Sequence, residues 1–259
     1  MSRKKLSTRT ANRITDVLIY AVIILISLTC VFPFLHVFAK SISEEAFVIA
    51  NKVFLLPKGF SLDSYKKVLS DASILYSFYV SVVVTILFTF LGMIITLCAA
   101  YPLSRKQLKG RTGLTMLFMF TMYFTGGIIP EYLLMNSLHL LDTWAVMILP
   151  LAFSSYNLLI MKTSLQNSIP ESLIESAHLD GASELTILTK IVIPLSKPII
   201  ATLSLFYAVG RWNAYQDALF YIKQNVSLRP LKLKLYYMVV ASTESFQTAV
   251  EGTAQLTNP

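Results

Sequence analysis

Few side chains in this sequence are placed to carry out covalent chemistry. The three histidines lie on separate segments, and neither His139 nor His178 has companions at metal-ligand spacing; His36 is interpreted as a packing residue at a helix end. Cys30 and Cys98 fall inside apolar windows, which favours buried small hydrophobes over a disulfide or a metal site. No nucleophile–base set and no G-x-x-x-x-G-K-[ST] phosphate loop occurs. We therefore predict no enzyme activity, no metal and no cofactor.

The most patterned segment runs from residue 168 to residue 194. Ser168 is a candidate N-cap, and Pro170 and Glu171 suit the first turn of a short helix. Gly181 then permits a left-handed turn, and a second helical pattern runs from Ser183 to the proline at 194. The predicted apolar positions of the two helices are Leu173, Ala177, Leu179, Leu185, Leu188 and Ile191. Such a knob inserts into a groove of a partner or lies on lipid head groups, and the residues alone leave both interpretations open.

The composition places this knob on a membrane protein. Of the 259 residues, 55% are hydrophobic and 14% are charged, and the mean hydropathy is +0.63. Soluble domains carry about a quarter charged residues, so a soluble enzyme is excluded. The net charge of +8 would suggest nucleic acid in a soluble protein, but the cations lie between apolar runs, and we predict no nucleic-acid binding.

Charge-free windows predict an all-α integral membrane fold with five transmembrane helices. Four windows cover residues 17–39, 72–104, 112–130 and 143–161. Each is long enough, or nearly so, for the roughly 20 residues that cross a hydrocarbon core. A fifth, shorter window becomes a span if it covers residues 193–215. The predicted organisation is a tail at 1–16 and one transmembrane domain at 17–259.

The basic residues predict the orientation of the spans. The N-terminal tail holds five of them, the segment after the second span holds four, and residues 162–197 hold three, whereas residues 126–142 hold none. Short loops that are rich in lysine and arginine stay on the cytoplasmic side of the membrane. The N-terminus and the loop at 162–197 are therefore predicted to be cytoplasmic.

Polar residues follow the apolar part of the fifth span. At membrane depth such groups are candidates for a translocation path, and the candidates here are Arg211, Trp212, Asn213 and Gln216. An outer aromatic belt with a snorkelling arginine is the alternative, and it is favoured for Trp212. Gly126 and Gly127 are predicted to break the third span, either as a turn or as part of a cavity wall.

The run Glu175-Ser176-Ala177-x-x-Asp180-Gly181-Ala182, followed by Ile191-x-Ile193-Pro194, resembles the EAA loop of ABC importer permeases. That signature reads E-A-A-x-x-D-G-A and then I-x-L-P, so Ser176 and Ile193 depart from it mildly. The stretch 210–213 resembles the carbohydrate-uptake branch, oligosaccharide type. The resemblance covers nearly the whole chain.

The resemblance implies a multi-pass subunit of the bacterial plasma membrane that passes a sugar or oligosaccharide. A cytoplasmic ATPase dimer would hydrolyse ATP, and its partners would include a second permease, an external binding protein and membrane lipid. The implied ATPase-coupling residues are Glu175, Ser176, Ala177, Asp180, Gly181 and Ala182. Polar groups at 211, 213 and 216 can hydrogen-bond sugar hydroxyls, and aromatic faces pack on sugar C–H surfaces.

Two other functions remain as alternatives. One is a permease of the same class for a non-sugar solute, and the other is a stand-alone secondary transporter, which usually needs inverted repeats or charges inside its spans. The resembled family has six spans, whereas five are predicted here. Because Asn258 and Pro259 suit the start of a helix, we expect that the chain is incomplete and stops just before a sixth helix.

Overall fold

The computed structural model describes residues 8–242, which are helical apart from turns and one isolated bridge between Ser43 and Phe60. They fall into two compact units that divide between Ala72 and Ser73. Part of the predicted tail at 1–16, and all of the chain-end pattern at 256–259, lie outside the described residues.

The first unit consists of one long helix and a short helical excursion. Helix α1 spans Thr8–Ser41, and its candidate membrane span is Thr15–Ser41. Helices α2 (Glu45–Ile49) and α3 (Asp63–Ser70) follow. His36 Nδ1 lies 2.5 Å from the Phe54 carbonyl oxygen, and its ring packs on Phe54. The prediction of a packing role for His36 is confirmed.

Helix α4, Ala72–Ser104, is the central element of the second unit. Its buried side chains recur every three or four residues, as one face of a helix requires: Ser77, Val80, Ser81, Val84, Phe88, Gly92, Thr96, Ala100, Leu103 and Ser104. The small members of this stripe let neighbouring backbones approach closely. A Cβ at Gly92 would lie 2.8 Å from the Ala152 carbonyl oxygen and 2.9 Å from Tyr207 Cε1.

The next four helices are interrupted rather than continuous. The chain bends by 107° between helix α5 (Arg111–Tyr123) and helix α6 (Ile128–Ser137). Gly127, at φ +85, precedes α6, so the predicted break at the glycine pair is confirmed. Helices α7 (Trp144–Ile148) and α8 (Ser155–Ser168) replace the single span predicted at 143–161. Pro150 lies between them and cannot donate a helical hydrogen bond.

The last described helices begin with the patterned segment. Helix α9 covers Glu171–Leu179, α10 covers Glu184–Leu195, α11 covers Lys197–Asn213, α12 covers Gln216–Tyr221, and α13 covers residues 231–242. Ser168 ends α8 and is not the N-cap of α9, so that prediction is wrong. Proline disfavours the helical conformation of the residue before it; Ile169 is extended, and the helix restarts after Pro170.

Two of the described helices, α1 and α4, are long and apolar enough to cross a membrane alone. The pairs α5–α6 and α10–α11, the latter bent by 82°, raise the number to four if each pair is one span. The described residues therefore form an all-helical structure with two to four candidate spans, and the span predicted at 143–161 is divided between α7 and α8.

The two cysteines are free and exposed, so the expectation that they are buried in the chain is wrong. An apolar window indicates removal from water, which lipid or a partner subunit can provide as well as the chain's own core. A cysteine on the outer face of a spanning helix therefore remains exposed when the chain is considered alone.

Candidate functional site

The turn between α9 and α10 closes helix α9 in a specific hydrogen-bonded geometry. The Ala182 N–H donates to the Ala177 carbonyl at 2.9 Å, and the Gly181 N–H donates to the His178 carbonyl at 3.0 Å. Gly181 has φ +79. These are the two bonds of a Schellman motif, which needs a left-handed residue at this position. The predicted left-handed turn at Gly181 is confirmed.

The buried face of this segment differs from the predicted apolar stripe. Ile174 and Ala177 of α9, with Ile187 and Val192 of α10, enter a core formed with α8 and the end of α4. Leu179 is 90% exposed and Leu185 is 70% exposed. Two of the predicted apolar positions, Leu179 and Leu185, therefore lie outside the core of the chain and are open to a partner or to lipid head groups, the two interpretations that the residues alone left open. They lie on either side of the turn, where the reversal of the chain carries them away from the core.

Two carboxylates fasten the base of this turn. Glu171 accepts hydrogen bonds from Lys106 Nζ at 2.8 Å and Gln107 Nε2 at 3.1 Å, and the bond from Lys106 is the main reason why the pKa of Glu171 lies below its ordinary value. Glu184 accepts a bond from the Tyr101 hydroxyl at 2.5 Å and lies 3.3 Å from His178 Nε2. The turn therefore projects from a fixed support.

The other predicted coupling residues share the surface of this segment. Glu175, Ser176 and Asp180 are exposed, and Ala182 is half-buried against the core. The Ser176 hydroxyl donates to the Ser172 carbonyl at 2.9 Å. Serine at this position therefore satisfies its own polar group within α9.

A cavity of about 590 Å³ lies where α11 gives way to α12. Its polar lining comes from Glu131, Asn213, Tyr215, Gln216, Asp217 and Tyr221. Two lining residues, Met135 and Tyr221, also belong to the core around the start of α4. The α9–α10 turn packs near the other end of α4. The structure thus brings Asn213 and Gln216 together at one cavity.

Arg211 and Trp212 do not line this cavity. The Arg211 side chain is 2% exposed, and its Nη1 donates to Asp217 Oδ2 at 2.5 Å. Asp217 is 10% exposed and lines the cavity, so the carboxylate of this ion pair forms part of the cavity wall. Trp212 is partly exposed and packs edge-to-face on Phe78 of α4. Arg211 thus supports the wall from behind, whereas Trp212 faces away from it.

Asp142 was not predicted from the sequence and ties two loops together beside the cavity. Its Oδ1 accepts backbone N–H bonds from Lys223 at 2.8 Å, Gln224 at 2.9 Å and Asn225 at 3.0 Å. Its own N–H donates to the backbone carbonyl of Tyr221, a residue that lines the cavity. Such a residue gives no local signal, because its partners are about eighty positions away.

The accepted bonds at Asp142, led by that from Asn225, hold the pKa of its carboxyl below the ordinary value. A lowered pKa in the folded state contributes stability above the unfolded pKa, and this contribution is lost as the pH falls through the folded pKa. We expect Asp142→Ala to lower the Tm by about 2–4 °C at pH 7 and by less below about pH 4. Thermal unfolding of both proteins across this range measures the difference, and Asp142→Asn, which keeps an acceptor without a charge, is the control. A pH-independent deficit in Asp142→Ala would contradict the assignment.

Among the described residues no three histidine, cysteine or carboxylate side chains are grouped so as to hold a metal ion.

Residues 113–250 match the sequence family described as binding-protein-dependent transport system inner membrane component. The polygalacturonan/rhamnogalacturonan transport system permease protein YtcP of Bacillus subtilis is 45% identical over 232 residues, which are 90% of this chain and 80% of that protein. Protein LplC of the same organism is 43% identical over 82% of this chain and 71% of its own length. A chain from the crystal structure of a bacterial ABC transporter involved in the import of the acidic polysaccharide alginate superposes with a TM-score of 0.85 and 32% identity, over 93% of this chain and 86% of that one.

Proposed function

This chain belongs to the family of binding-protein-dependent transport system inner membrane components, and on that premise we propose that it lines the membrane path for an acidic oligosaccharide. It is a permease subunit of an ABC importer for carbohydrates and a transport component without catalytic activity. Family membership also implies an ATPase and a binding protein as partners. An ATPase dimer and a second permease complete the proposed assembly.

One observation carries the coupling part of the proposal: a glycine-closed turn exposes Leu179 and Leu185 above a fixed base. An exposed leucine pair on a rigid projection suits a hydrophobic groove of a partner better than open water. We assign this groove to the ATPase. The proposed coupling residues are Glu175, Ser176, Ala177, Asp180, Gly181 and Ala182.

The cavity beside α12 is the proposed contact with the sugar. Asn213 and Gln216 offer amide donors and acceptors there, and Tyr215 and Phe220 offer aromatic faces. Arg211 acts through Asp217 by holding its carboxylate at the wall. Trp212 has no sugar contact in this proposal.

Charge next to the cavity supports an acidic substrate. Residues 222–242 contain Lys223, Arg229, Lys232 and Lys234 and no carboxylate. Lys232 Nζ lies 3.3 Å from Asn213 Oδ1, and Lys223 Nζ lies 3.3 Å from the Tyr132 hydroxyl. Two carboxylates line the cavity. Arg211 neutralises the charge of Asp217, so Glu131 is the remaining negative charge in the lining. The substrates in the names of the relatives, polygalacturonan and alginate, are consistent with uronic-acid residues.

The proposed topology follows the charge distribution. The N-terminus lies in the cytoplasm, five crossings of the bacterial plasma membrane follow within one permease domain at 17–259, and residues 162–197 face the ATPase. The cavity and the basic segment at 222–242 then face outward. An outward cluster of cations opposes the usual distribution, and attraction of an anionic substrate supplies a reason for it.

The test is uptake by the complete transporter in proteoliposomes with its ATPase, second permease and binding protein. Oligogalacturonate should enter and stimulate ATP hydrolysis, whereas a neutral oligosaccharide of equal length should not. A hydrogen bond to a charged group contributes about 1.5–3 kcal/mol, so Lys232→Gln should reduce oligogalacturonate uptake by about tenfold or more.

Lys234→Gln is the matched control because it removes the same charge from the same helix, and its Nζ contacts Ser73 instead of Asn213. Its effect should be smaller than that of Lys232→Gln. Equal uptake of acidic and neutral oligosaccharides would contradict the substrate proposal. Failure of the chain to copurify with an ATPase would contradict the coupling proposal.

A further inference from the structure

Arg105, the first residue after α4, has a buried edge without a partner. Its guanidinium carbon lies 4.7 Å from the centre of the Tyr101 ring, so one face of the group is covered. Its Nε and Nη2 are buried and donate to no hydrogen-bond acceptor among the described residues. A guanidinium pairs with carboxylate or phosphate through two parallel N–H bonds. Leaving such donors buried and unpaired is costly, so this edge is suited to an oxyanion.

The residues around Arg105 form a basic pocket. A cavity of about 330 Å³ is lined by Arg105, Lys106 and Arg111 and also by Gln166 and Asn167. Glu171 is the one carboxylate in this lining. Its two oxygens already accept from Lys106 and Gln107, one each. The pocket therefore keeps two uncompensated positive charges.

The pocket lies at the end of a candidate membrane span. Arg105 directly follows Ser104, the last residue of the 33-residue helix α4, and the lining includes apolar Leu165 and Ile169. Lipid phosphates lie at this level of a bilayer, and basic pockets between spanning helices bind anionic head groups. The combination of cations and apolar walls suits a phosphate that is attached to a lipid or carried on a small anion.

We propose that the pocket of Arg105, Lys106 and Arg111 is a phosphate-binding site, with the Nε–Nη2 edge of Arg105 as its principal donor. Pro170 and Glu171 also line the pocket, and α9 begins there. A bound phosphate therefore neutralises the support from which the coupling segment projects. The proposal is independent of which sugar is transported.

The test is lipid binding by the purified full-length chain, followed by native mass spectrometry in mild detergent. Phosphatidylglycerol should bind about tenfold more tightly than zwitterionic phosphatidylcholine, because juxtamembrane cations attract anionic head groups. Arg105→Gln should remove most of this preference. Arg105→Lys should remove much of it as well, because lysine keeps the charge and loses the two-pronged edge.

Lys109→Gln is the matched control, since Lys109 is in the same basic segment and does not line the pocket. This variant should keep the preference for phosphatidylglycerol unchanged. If Arg105→Gln unfolds, Arg111→Gln provides the comparison. Millimolar inorganic phosphate distinguishes the sources: displacement of the lipid assigns the site to free phosphate, and retention assigns it to the head group. Equal binding of both lipids together with no thermal shift in phosphate would overturn the proposal. Equal losses in the Arg105 and Lys109 variants would overturn it too.

Discussion

Replacement of Gly181 with valine is expected to abolish substrate-stimulated ATP hydrolysis while the chain stays folded. Gly181 has φ +79, and no heavy atom lies within 4 Å of a Cβ built there. Valine therefore meets backbone strain of about 1–3 kcal/mol rather than a clash. Relief of this strain breaks the bonds from Gly181 to His178 and from Ala182 to Ala177. Leu179 and Leu185 then lose their fixed relation, and the substrate-stimulated part of ATP hydrolysis should be lost.

Gly110 provides a matched control for this experiment. It has φ +78 and equally open surroundings, and it precedes α5 instead of joining α9 to α10. Gly110→Val carries the same backbone strain and should keep most of the stimulated ATPase activity. Gly181→Asn should be intermediate, because asparagine tolerates the left-handed conformation. Normal stimulation in Gly181→Val, or equal losses in both valine variants, would show that the turn has no role in coupling.

Asp217→Asn is expected to be the most destabilising single change at the cavity. Arg211 Nη1 lies 2.5 Å from Asp217 Oδ2, and the two side chains are 2% and 10% exposed. Removing one partner of a buried pair leaves an uncompensated charge and costs about 3–5 kcal/mol. In a chain of this length that loss corresponds to a fall in Tm of about 10 °C, measurable by thermal unfolding in detergent.

Two further variants separate burial from simple loss of charge. Arg211→Met combined with Asp217→Leu removes both charges and should recover much of the lost stability. Asp63→Asn removes a carboxylate whose partner Lys66 is also exposed, and it should leave the Tm nearly unchanged. If Asp217→Asn unfolds no earlier than Asp63→Asn, the pair contributes no structural support to the cavity wall.

The membrane class, the approximate positions of the helices and the left-handed turn could be predicted because each has a local cause. A charge-free window marks α1 and α4, and a glycine between two helical patterns marks the turn at Gly181. The interruption between α7 and α8 was missed because the window at 143–161 carries no charge; Pro150 and Ser154, the N-cap of α8, mark the break. Hydropathy reports removal from water and does not report continuity of a helix.

The buried face of α10 differs from the predicted apolar positions for a geometric reason. Ile187 and Val192 are both fully buried although they are five residues apart, a spacing that separates them on an α-helix. The structure contains a π-helical turn at Leu188–Val192. Hydrogen bonds from i to i+5 bring residues five apart onto one face, whereas an α-helical period of three led to Leu185, Leu188 and Ile191.

The candidate sugar contacts could be predicted only as a group. Asn213 and Gln216 reach the cavity, whereas Arg211 lies behind the wall and Trp212 packs on α4. Four neighbouring residues around a helix end point in different directions, and their contacts depend on α4, α6 and α13. Asp142 and Lys232 carry no local pattern at all, because their significance lies in partners that are distant in the sequence.

The missing side chain at Gly92 has a consequence for how this protein can evolve. One of the atoms that a Cβ would meet, the Ala152 carbonyl oxygen, is backbone, so a smaller residue at position 207 cannot by itself make room at 92. A larger residue at 92 becomes acceptable only if the segment between α7 and α8 moves. Insertions or deletions at 149–154 and substitutions at 92 should therefore be inherited together, and related proteins that lengthen this break should be the ones that have lost the glycine.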